Sequence, residues 1–203
     1  HHELVVEADA VAMMNDLVWY FDEPFGDSSS IPTYLVSRMA AGHVKMVLSG
    51  DGGDELFAGY ERYRKYQQLQ SMRSNSLGLA GQGLRAASRL VPGSRGVRLG
   101  RIGARLSQPY PDDYLSGVAL ATREDLQLIL APDLAAGDPY ASIRHHFTEA
   151  VGGDAFDRIL AGDMATYSAH DILAKVARMT RANSLKSRSR LLDHPLHEFA
   201  APP

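Results

Sequence analysis

A glycine-rich loop between a short apolar run and a helix-compatible segment carries the residues best suited to chemistry. It combines three glycines with three carboxylates, namely Gly50, Gly52, Gly53, Asp51, Asp54 and Glu55. Glycine allows sharp turns and close approach of the backbone to a ligand, and free N–H groups at a helix start favour phosphate. Because carboxylates repel phosphate, they indicate a cation in between, and Mg²⁺ takes one or two carboxylates and shares phosphate oxygens. The loop therefore predicts a nucleotide–Mg²⁺ site at the carboxyl end of a parallel strand.

The elements around this loop alternate between strand and helix. The apolar run Val44–Leu48 predicts a buried strand, interior to a parallel sheet, with a helix starting near Gly53. A short strand is expected at Leu4–Val6, and helical patterns cover 8–20, 32–41 and 56 to about 72. Such alternation with short connections is typical of an α/β fold with a parallel sheet flanked by helices. We assign this part of the domain to residues 1–72.

The remainder, residues 73–203, is predicted to be mainly helical. It includes an arginine- and glycine-rich insert, 73–107, with no acidic residue between positions 85 and 105. Its arginines indicate either an anion or partner surface, or a solvated helical insert whose arginines pair with carboxylates elsewhere. The second interpretation is favoured because aromatic residues interleaved for nucleic-acid stacking are missing. Because glycine is a poor helix former, we expect marginal helices and partial disorder.

A second set of charged candidates lies near the carboxyl end. Residues 156–183 are helical in pattern, and Ser168 with Asp171 predicts a capping box that starts a new helix. Lys175 and Arg178 share one face of that helix. One interpretation is that these two cations stabilise negative charge that develops at the loop. The alternative, which composition alone favours, is that they form an ordinary solvated basic face of the helix.

Composition excludes several classes of protein. The 203 residues have a net charge of −3 and no cysteine. No general attraction to nucleic acid or anionic membranes follows from that charge, and no apolar run approaches the length of a membrane span. The lack of cysteine removes a disulfide framework and is compatible with the cytosol, so we expect a cytoplasmic protein without nucleic-acid or membrane partners.

Three segments resemble, in order and spacing, the signatures of the synthetase domain of glutamine-dependent asparagine synthetases. They are Ser49–Tyr60 (SGDGGDELFAGY), Asp22–Tyr34 (DEPFGDSSSIPTY) and the stretch from Asp171 to His194. The resemblance implies an adenine nucleotide α-hydrolase-like (PP-loop) fold. The family's pyrophosphate loop and its glutaminase domain have no counterpart here, so the chain is expected to be a fragment, inactive by itself, of an enzyme that could be a homo-oligomer.

The resemblance also implies a reaction. A small carboxylate, aspartate or a related acid, attacks the α-phosphate of ATP, pyrophosphate leaves, and ammonia from the glutaminase domain displaces AMP to form an amide. ATP and Mg²⁺ are the implied cofactors. The positions that match nucleotide-binding residues of the family are Ser49, Gly50, Gly52 and Gly53.

Four further positions are implied to act on the reacting groups. Asp51 matches an acidic residue that serves the acyl-adenylate and activates the incoming ammonia. Asp54 matches a Mg²⁺ ligand. Arg178 matches a cation on the pyrophosphate side, where arginine acts as an electrostatic clamp, and Lys175 is the second cation of this helix.

The chain departs from the family pattern in its last signature. Ala177 stands in place of Asp, Lys186 in place of Glu and Arg190 in place of Pro. These changes remove ion-pair partners and leave surplus positive charge near the site. A catalytically inactive structural or interaction domain is therefore the alternative. A third and weaker hypothesis, based on the arginine-rich insert, is a nucleic-acid-modifying enzyme of the same fold. A dinucleotide-binding domain is disfavoured because no Gly-x-Gly-x-x-Gly follows a strand.

Overall fold

The computed structural model describes residues 3, 5, 9–71, 75–149 and 153–200. The α-helices are α1 (Ala10–Phe21), α2 (Ser30–Ala41), α3 (Gly53–Leu56), α4 (Glu61–Ser71), α5 (Asn75–Ser88), α6 (Ser94–Ser107), α7 (Asp112–Val118), α8 (Arg123–Ile129), α9 (Pro132–Ala135), α10 (Ala141–Thr148), α11 (Ala155–Asp163), α12 (Leu173–Ala182) and α13 (His194–Ala200). A π-helix, Met164–Ile172, joins α11 to α12, and a 3₁₀ helix covers Arg190–Leu192. The strands are β1 (Met46–Ser49) and β2 (Lys186–Ser189). The described part of the chain is thus a mostly helical α/β structure with a small parallel sheet.

Two compact units make up the described chain. One combines residues within His1–Phe57 and Asp163–Ala201, and the other lies within Ala58–Gly162. The first unit is discontinuous because α12 packs against α1 and α2, and β2 pairs with β1. The predicted division at residue 72 follows chain order, whereas these units do not.

The core of the first unit lies between α1, α2 and α12. Its members are the buried residues Met13, Leu17, Phe21, Tyr34, Leu35 and Met179. The four-residue spacing along α1 places its buried side chains on one helical face. Asp9 caps this helix by accepting the Ala12 N–H at 3.0 Å. The predicted helices 8–20 and 32–41 are confirmed with small shifts at their ends.

The sheet corrects one prediction. β1 pairs in parallel with β2, with Met46 opposite Lys186 and Ser49 opposite Ser189. In the described chain β1 has this one neighbour, and the side chains of Met46 and Leu48 are 53% and 64% exposed. The parallel pairing is confirmed, but the prediction of a buried interior strand is wrong here, because β2 pairs with only one edge of β1 and the sheet face that carries Met46 and Leu48 is left exposed. The predicted strand Leu4–Val6 lies outside the described residues.

The second unit has an aromatic core. Its largest buried side chains include Tyr63, Tyr66, Tyr114 and Phe147, and Tyr66 meets Tyr114 edge-on with ring centroids 5.5 Å apart. The helix predicted from residue 56 begins at Glu61 instead. The chain turns before it, because Ala58 has a φ of 57°.

The arginine- and glycine-rich insert forms two long helices, α5 and α6, over its described residues. A Cβ at Gly81 would lie 2.9 Å from the Gly103 carbonyl oxygen, and a Cβ at Gly103 would lie 2.7 Å from that of Gly81. The glycines therefore allow the two backbones to pack closely, and this tertiary packing offsets the low helix propensity that led us to expect partial disorder.

The helical prediction for 156–183 is confirmed, but its predicted capping box is not. Ser168 lies within the π-helix, where its hydroxyl oxygen is buried without a hydrogen-bond partner. Its carbonyl accepts the Leu173 N–H, so the backbone continues into α12 without a new N-terminus. In the part of the chain that the structure describes, no helix is both long and apolar enough to cross a bilayer.

Candidate functional site

The glycine loop starts where the two strands end together. β1 ends at Ser49, and its hydroxyl oxygen lies 2.8 Å from that of Ser189, the last residue of β2. Ser187 donates a longer hydrogen bond, 3.5 Å, to the same Ser49 oxygen. The loop thus leaves the carboxyl end of a parallel strand and leads into α3 at Gly53, as the sequence predicts.

Two loop glycines are required by packing against the third signature segment. Gly52 has a φ of +91°, and a Cβ there would lie 2.2 Å from the Leu192 side chain. A Cβ at Gly53 would lie 2.6 Å from the Leu191 side chain. At Gly50, in contrast, a Cβ would meet nothing within 4 Å. The open side of the loop is therefore at Gly50.

The loop carboxylates differ in their surroundings. One oxygen of Asp51, Oδ2, is buried and has no hydrogen-bond partner. Asp54 is exposed in the first turn of α3, whereas Glu55 is buried at 1% exposure. The loop therefore exposes Asp54, partly buries Asp51 and fully buries Glu55. Among the described residues no cluster of three metal-ligating side chains exists, so a Mg²⁺ ion here would need phosphate or water oxygens, which is the usual arrangement for this ion.

Lys175 of α12 joins the third signature segment to the second. Its ammonium nitrogen donates to Asp27 Oδ2 at 2.5 Å and to the Ser29 hydroxyl at 2.7 Å. Asp27 also accepts the Ser29 N–H at 2.8 Å and the Ser29 hydroxyl at 2.7 Å. Because the Lys175 side chain is only 9% exposed, this ion pair holds the Asp27–Ser29 turn against α12.

The charges of this cluster perturb one another. Burial acts to raise the pKa of Asp27, but the hydrogen bonds from Lys175 and Ser29 outweigh it and lower the pKa to about 2. Burial and the negative charge of Asp27 raise the pKa of Asp171, although Lys175 opposes this. The Oδ1 atom of Asp171 is buried without a hydrogen-bond partner. The Lys175 ammonium is therefore bonded to Asp27 and acts on Asp171 only through its charge.

Arg178 occupies a more open position. It is exposed, and its guanidinium donates a 3.5 Å hydrogen bond to the Tyr20 carbonyl of α1. Within the described chain the hydrogen bonds of Lys175 and Arg178 go to the second segment and to α1, and not to the loop. Their expected action on charge at the loop stays a prediction.

Sequence reasoning included Asp27 and Ser29 only as members of the second signature segment and missed them as partners of Lys175. The signal was available in principle, because a lysine on the apolar side of a helix is almost never buried unless it is paired. What the sequence does not contain is which carboxylate pairs with it, since Asp27 and Lys175 are 148 positions apart.

Two of the three departures from the family pattern, Ala177 and Lys186, line a groove between α12 and β2, whereas Arg190 is not part of its lining. The groove has a volume of about 530 Å³, and its lining includes Ala177, Arg181, Lys186 and Arg188. All three cations are exposed, and none forms an ion pair with another described residue. An aspartate at 177 or a glutamate at 186 would supply a partner that this chain lacks.

Comparison with known proteins identifies a family. The family profile described as Asparagine synthase matches residues 1–202. The chain is 33% identical over 194 residues to the Bacillus subtilis asparagine synthetase [glutamine-hydrolyzing] 1, which covers 93% of this chain and 30% of that protein. It is 36% identical over 203 residues to a putative asparagine synthetase [glutamine-hydrolyzing] of Mycobacterium tuberculosis, and this match covers 99% of this chain and 30% of that protein.

A shorter match, 53% identical over 73 residues, is to a putative asparagine synthetase [glutamine-hydrolyzing] 2 of Methanocaldococcus jannaschii; it covers 36% of this chain and 14% of that protein. The chain spans about 30% of the length of the two curated relatives that it matches almost throughout. No solved structure gives a significant match.

Proposed function

Since the chain belongs to the asparagine synthase family, we propose that it forms part of an ATP-dependent ligase that adenylates a small carboxylate, aspartate or a related acid, and converts it into an amide. The observation that best supports this proposal is that one loop at the carboxyl end of β1 contains both an unpartnered buried oxygen, Asp51 Oδ2, and a glycine, Gly50, that faces open space. We further propose that the sheet belongs to a PP-loop fold of the adenine nucleotide α-hydrolase type, in a cytoplasmic enzyme.

The nucleotide would lie against the open side of the loop. Ser49 and Gly50 would contact it, and the backbone at Gly52 and Gly53 would complete the turn. The hydroxyl pair of Ser49 and Ser189, 2.8 Å apart, fixes the ends of both strands, so the loop has a defined starting point. Preorganised polar groups of this kind stabilise developing charge without rearranging during the reaction.

The residues of the loop fit a magnesium ion. Asp54 would hold the ion from its exposed position, and the free Oδ2 of Asp51 lies in the same loop. Two carboxylates with phosphate and water oxygens match the usual ligand set of Mg²⁺. When bound, the ion would neutralise phosphate charge and orient the nucleotide.

The other residues divide the remaining tasks. Asp51 would accept a proton from the incoming ammonia, as a general base. The Arg178 guanidinium would stabilise the negative charge on the pyrophosphate side. Lys175, whose ammonium is held by Asp27 and Ser29, would act mainly by positioning the second signature segment. Glutamine-derived ammonia would come from a glutaminase domain outside this chain, since the relatives are named glutamine-hydrolysing.

One observation favours an inactive interaction domain as the second candidate. Arg181, Lys186 and Arg188 line a groove without an ion-pair partner in the described chain, at a place where family members have acidic residues. An altered site of this kind would retain the fold and lose turnover.

The test is carboxylate-dependent exchange of radiolabelled pyrophosphate into ATP by the full-length parent. The chain by itself should show no exchange, because it is expected to lack the pyrophosphate loop. In the parent, Asp54→Asn should impair use of Mg²⁺–ATP and stop exchange. Asp51→Asn should leave nucleotide affinity intact while amide formation falls on the order of 10²-fold, the scale of a lost acid–base group.

Asp133→Asn, on the exposed face of α9, is the matched control and should behave as the wild type. Equal loss of ATP affinity in the Asp51 and Asp54 variants would mean that both carboxylates serve one metal cluster. A parent that shows no exchange with any amino-acid carboxylate would favour the inactive interaction domain.

A further inference from the structure

Helix α6 presents two different faces within the second unit. Its glycines Gly96, Gly100 and Gly103 approach Val91, Ser88 and Gly81, so this face packs against α5 and the turn that follows it. Its arginines Arg98, Arg101 and Arg105 line a groove of about 320 Å³. The three- and four-residue spacings place these guanidinium groups along one side of the helix. We call this groove, with Ser116 and Gly117 of α7 on its other wall, the arginine groove.

Arg105 is built into the floor of the arginine groove. A Cβ at Gly117 would lie 2.7 Å from Arg105 Nε and 2.8 Å from its Cζ, so the guanidinium packs directly on the backbone of α7. The Nε atom is buried and donates to no acceptor. Withdrawing a cation from water costs free energy unless an anion or hydrogen-bond acceptor compensates for it. The described chain supplies neither to Arg105.

The charge balance of the groove is one-sided. None of the described residues that line it is acidic. Arg101 reaches out to Asp125, with 2.7 Å between Nη2 and Oδ2, whereas Arg98 and Arg105 have no ion pair within the described chain. At least two guanidinium groups thus remain available in one concave site.

We propose that the arginine groove is a binding site for a small phosphate-bearing anion. Guanidinium forks bind phosphate oxygens in pairs, which gives both charge and geometry. The volume of the groove, about 320 Å³, is large enough for a small molecule, and its lining lacks the aromatic side chains on which nucleic-acid bases stack. The site lies entirely within Ala58–Gly162, and it does not depend on the function proposed for the loop at Ser49.

The experiment is calorimetric titration of the chain with inorganic pyrophosphate in magnesium-free buffer. The wild type should bind at one site, and saturating pyrophosphate should raise its Tm, because a ligand that binds only the folded state stabilises it. Arg105→Gln and Arg98→Gln should each weaken binding by roughly tenfold or more, the range expected for a lost charged hydrogen bond. Arg95→Gln, on the same helix but outside the groove, makes the same change in charge and should leave affinity unchanged.

Two further variants separate binding from folding. Arg105→Lys keeps the charge but not the fork, so it should bind with intermediate affinity. Gly117→Ala displaces the Arg105 guanidinium without changing net charge and should weaken binding, with circular dichroism confirming the helices in every variant.

The proposal is overturned if pyrophosphate does not bind, or if its binding survives all the groove variants and belongs to the loop at Ser49. It is also overturned if Arg95→Gln weakens binding as much as Arg105→Gln does. Salt-dependent RNA binding that Arg95→Gln reduces equally would assign these arginines to an extended nucleic-acid surface instead.

Discussion

Lys175 in the first unit and Arg105 in the second are both cations with polar atoms withdrawn from water, but their surroundings differ. Lys175 donates to Asp27 and Ser29 at 2.5 and 2.7 Å. Arg105 has its Nε atom buried beside Gly117 without any acceptor. Arg144 of the second unit resembles Lys175 in this respect, because its guanidinium forms ion pairs with both Asp112 and Asp138.

The difference teaches how to distinguish a structural charge from a charge kept for a ligand. A buried ion pair is costly to break, because removal of one partner leaves the other uncompensated. A buried cation without a partner carries that cost already, so its removal should not destabilise the fold. The loss of stability on substitution therefore distinguishes a paired cation from an unpaired one. In the same way, it distinguishes a glycine whose Cβ would clash with a neighbour from a glycine that faces open space.

The largest effect is expected for Lys175→Met. This change leaves Asp27 without its ion-pair partner and removes the positive charge near Asp171, so the free energy of unfolding should fall by about 3 kcal/mol. Urea denaturation followed by circular dichroism measures it. Arg178→Met on the exposed side of α12 is the control and should stay within about 0.5 kcal/mol of the wild type. If both variants lose the same stability, the Lys175–Asp27 pair is not the structural link that we infer.

Next in size is Gly52→Ala. Alanine would have to adopt a φ of +91° with its Cβ 2.2 Å from Leu192, and the strained backbone together with the displaced Leu192 side chain should cost about 2–3 kcal/mol. Gly50→Ala, whose Cβ would meet nothing within 4 Å, should change stability by less than about 0.5 kcal/mol. Thermal unfolding of the pair distinguishes them. A marked loss for Gly50→Ala would show that this side of the loop is not open.

Local patterns in the sequence predicted most of the elements, but not which face of a helix is buried. The helical spacing of Val11, Met14, Leu17 and Val18 predicted α1, whereas the structure exposes Val11, Met14 and Val18 and buries Met13, Leu17 and Phe21. The change from apolar run to glycine indicated the end of β1. Features that depend on distant contacts were not predicted. Leu192 explains Gly52, and Asp27 explains the burial of Lys175, yet neither relation has a periodicity that a single sequence could reveal.

The roles of Asp51, Asp54 and Arg178 have a different status. They come from the resemblance to a family and not from geometry, because hydrogen bonds and burial describe where a side chain lies and not which substrate it meets. The structure adds that Asp51 has a free buried oxygen and that Arg178 is exposed. Those are the physical conditions under which the proposed roles could operate.

A third test uses pH. The pKa of Asp27 is about 2, below its ordinary value of 3.8, so the unfolded chain binds this proton more readily than the folded chain. The corresponding stability, about 2 kcal/mol, is present above pH 4 and is lost as the pH falls towards 2. The raised pKa of Asp171 has the opposite effect on stability and acts above pH 4, because its contribution to the free energy of unfolding is lost as the pH rises.

Wild type and Asp27→Asn should therefore diverge in their slopes of unfolding free energy between pH 4 and 2, with the variant flatter by the amount due to Asp27. Urea denaturation at fixed ionic strength across this range measures the slopes. Parallel slopes would mean that the Lys175–Asp27 pair is not formed in solution.

The smallest expected effect distinguishes paired and unpaired arginines on α6. Arg101 forms an exposed ion pair with Asp125, so Arg101→Gln should cost about 0.5 kcal/mol at low salt, and the cost should vanish near 1 M salt, where screening removes such pairs. Arg105→Gln should cost nothing at either salt concentration, because its cation has no ion-pair partner to lose and the change removes a guanidinium whose Nε atom is buried without an acceptor. The measurement is the Tm of both variants, with Arg95→Gln as reference. A destabilised Arg105→Gln would show that the chain itself compensates this guanidinium, and the contrast with Lys175 would then fail.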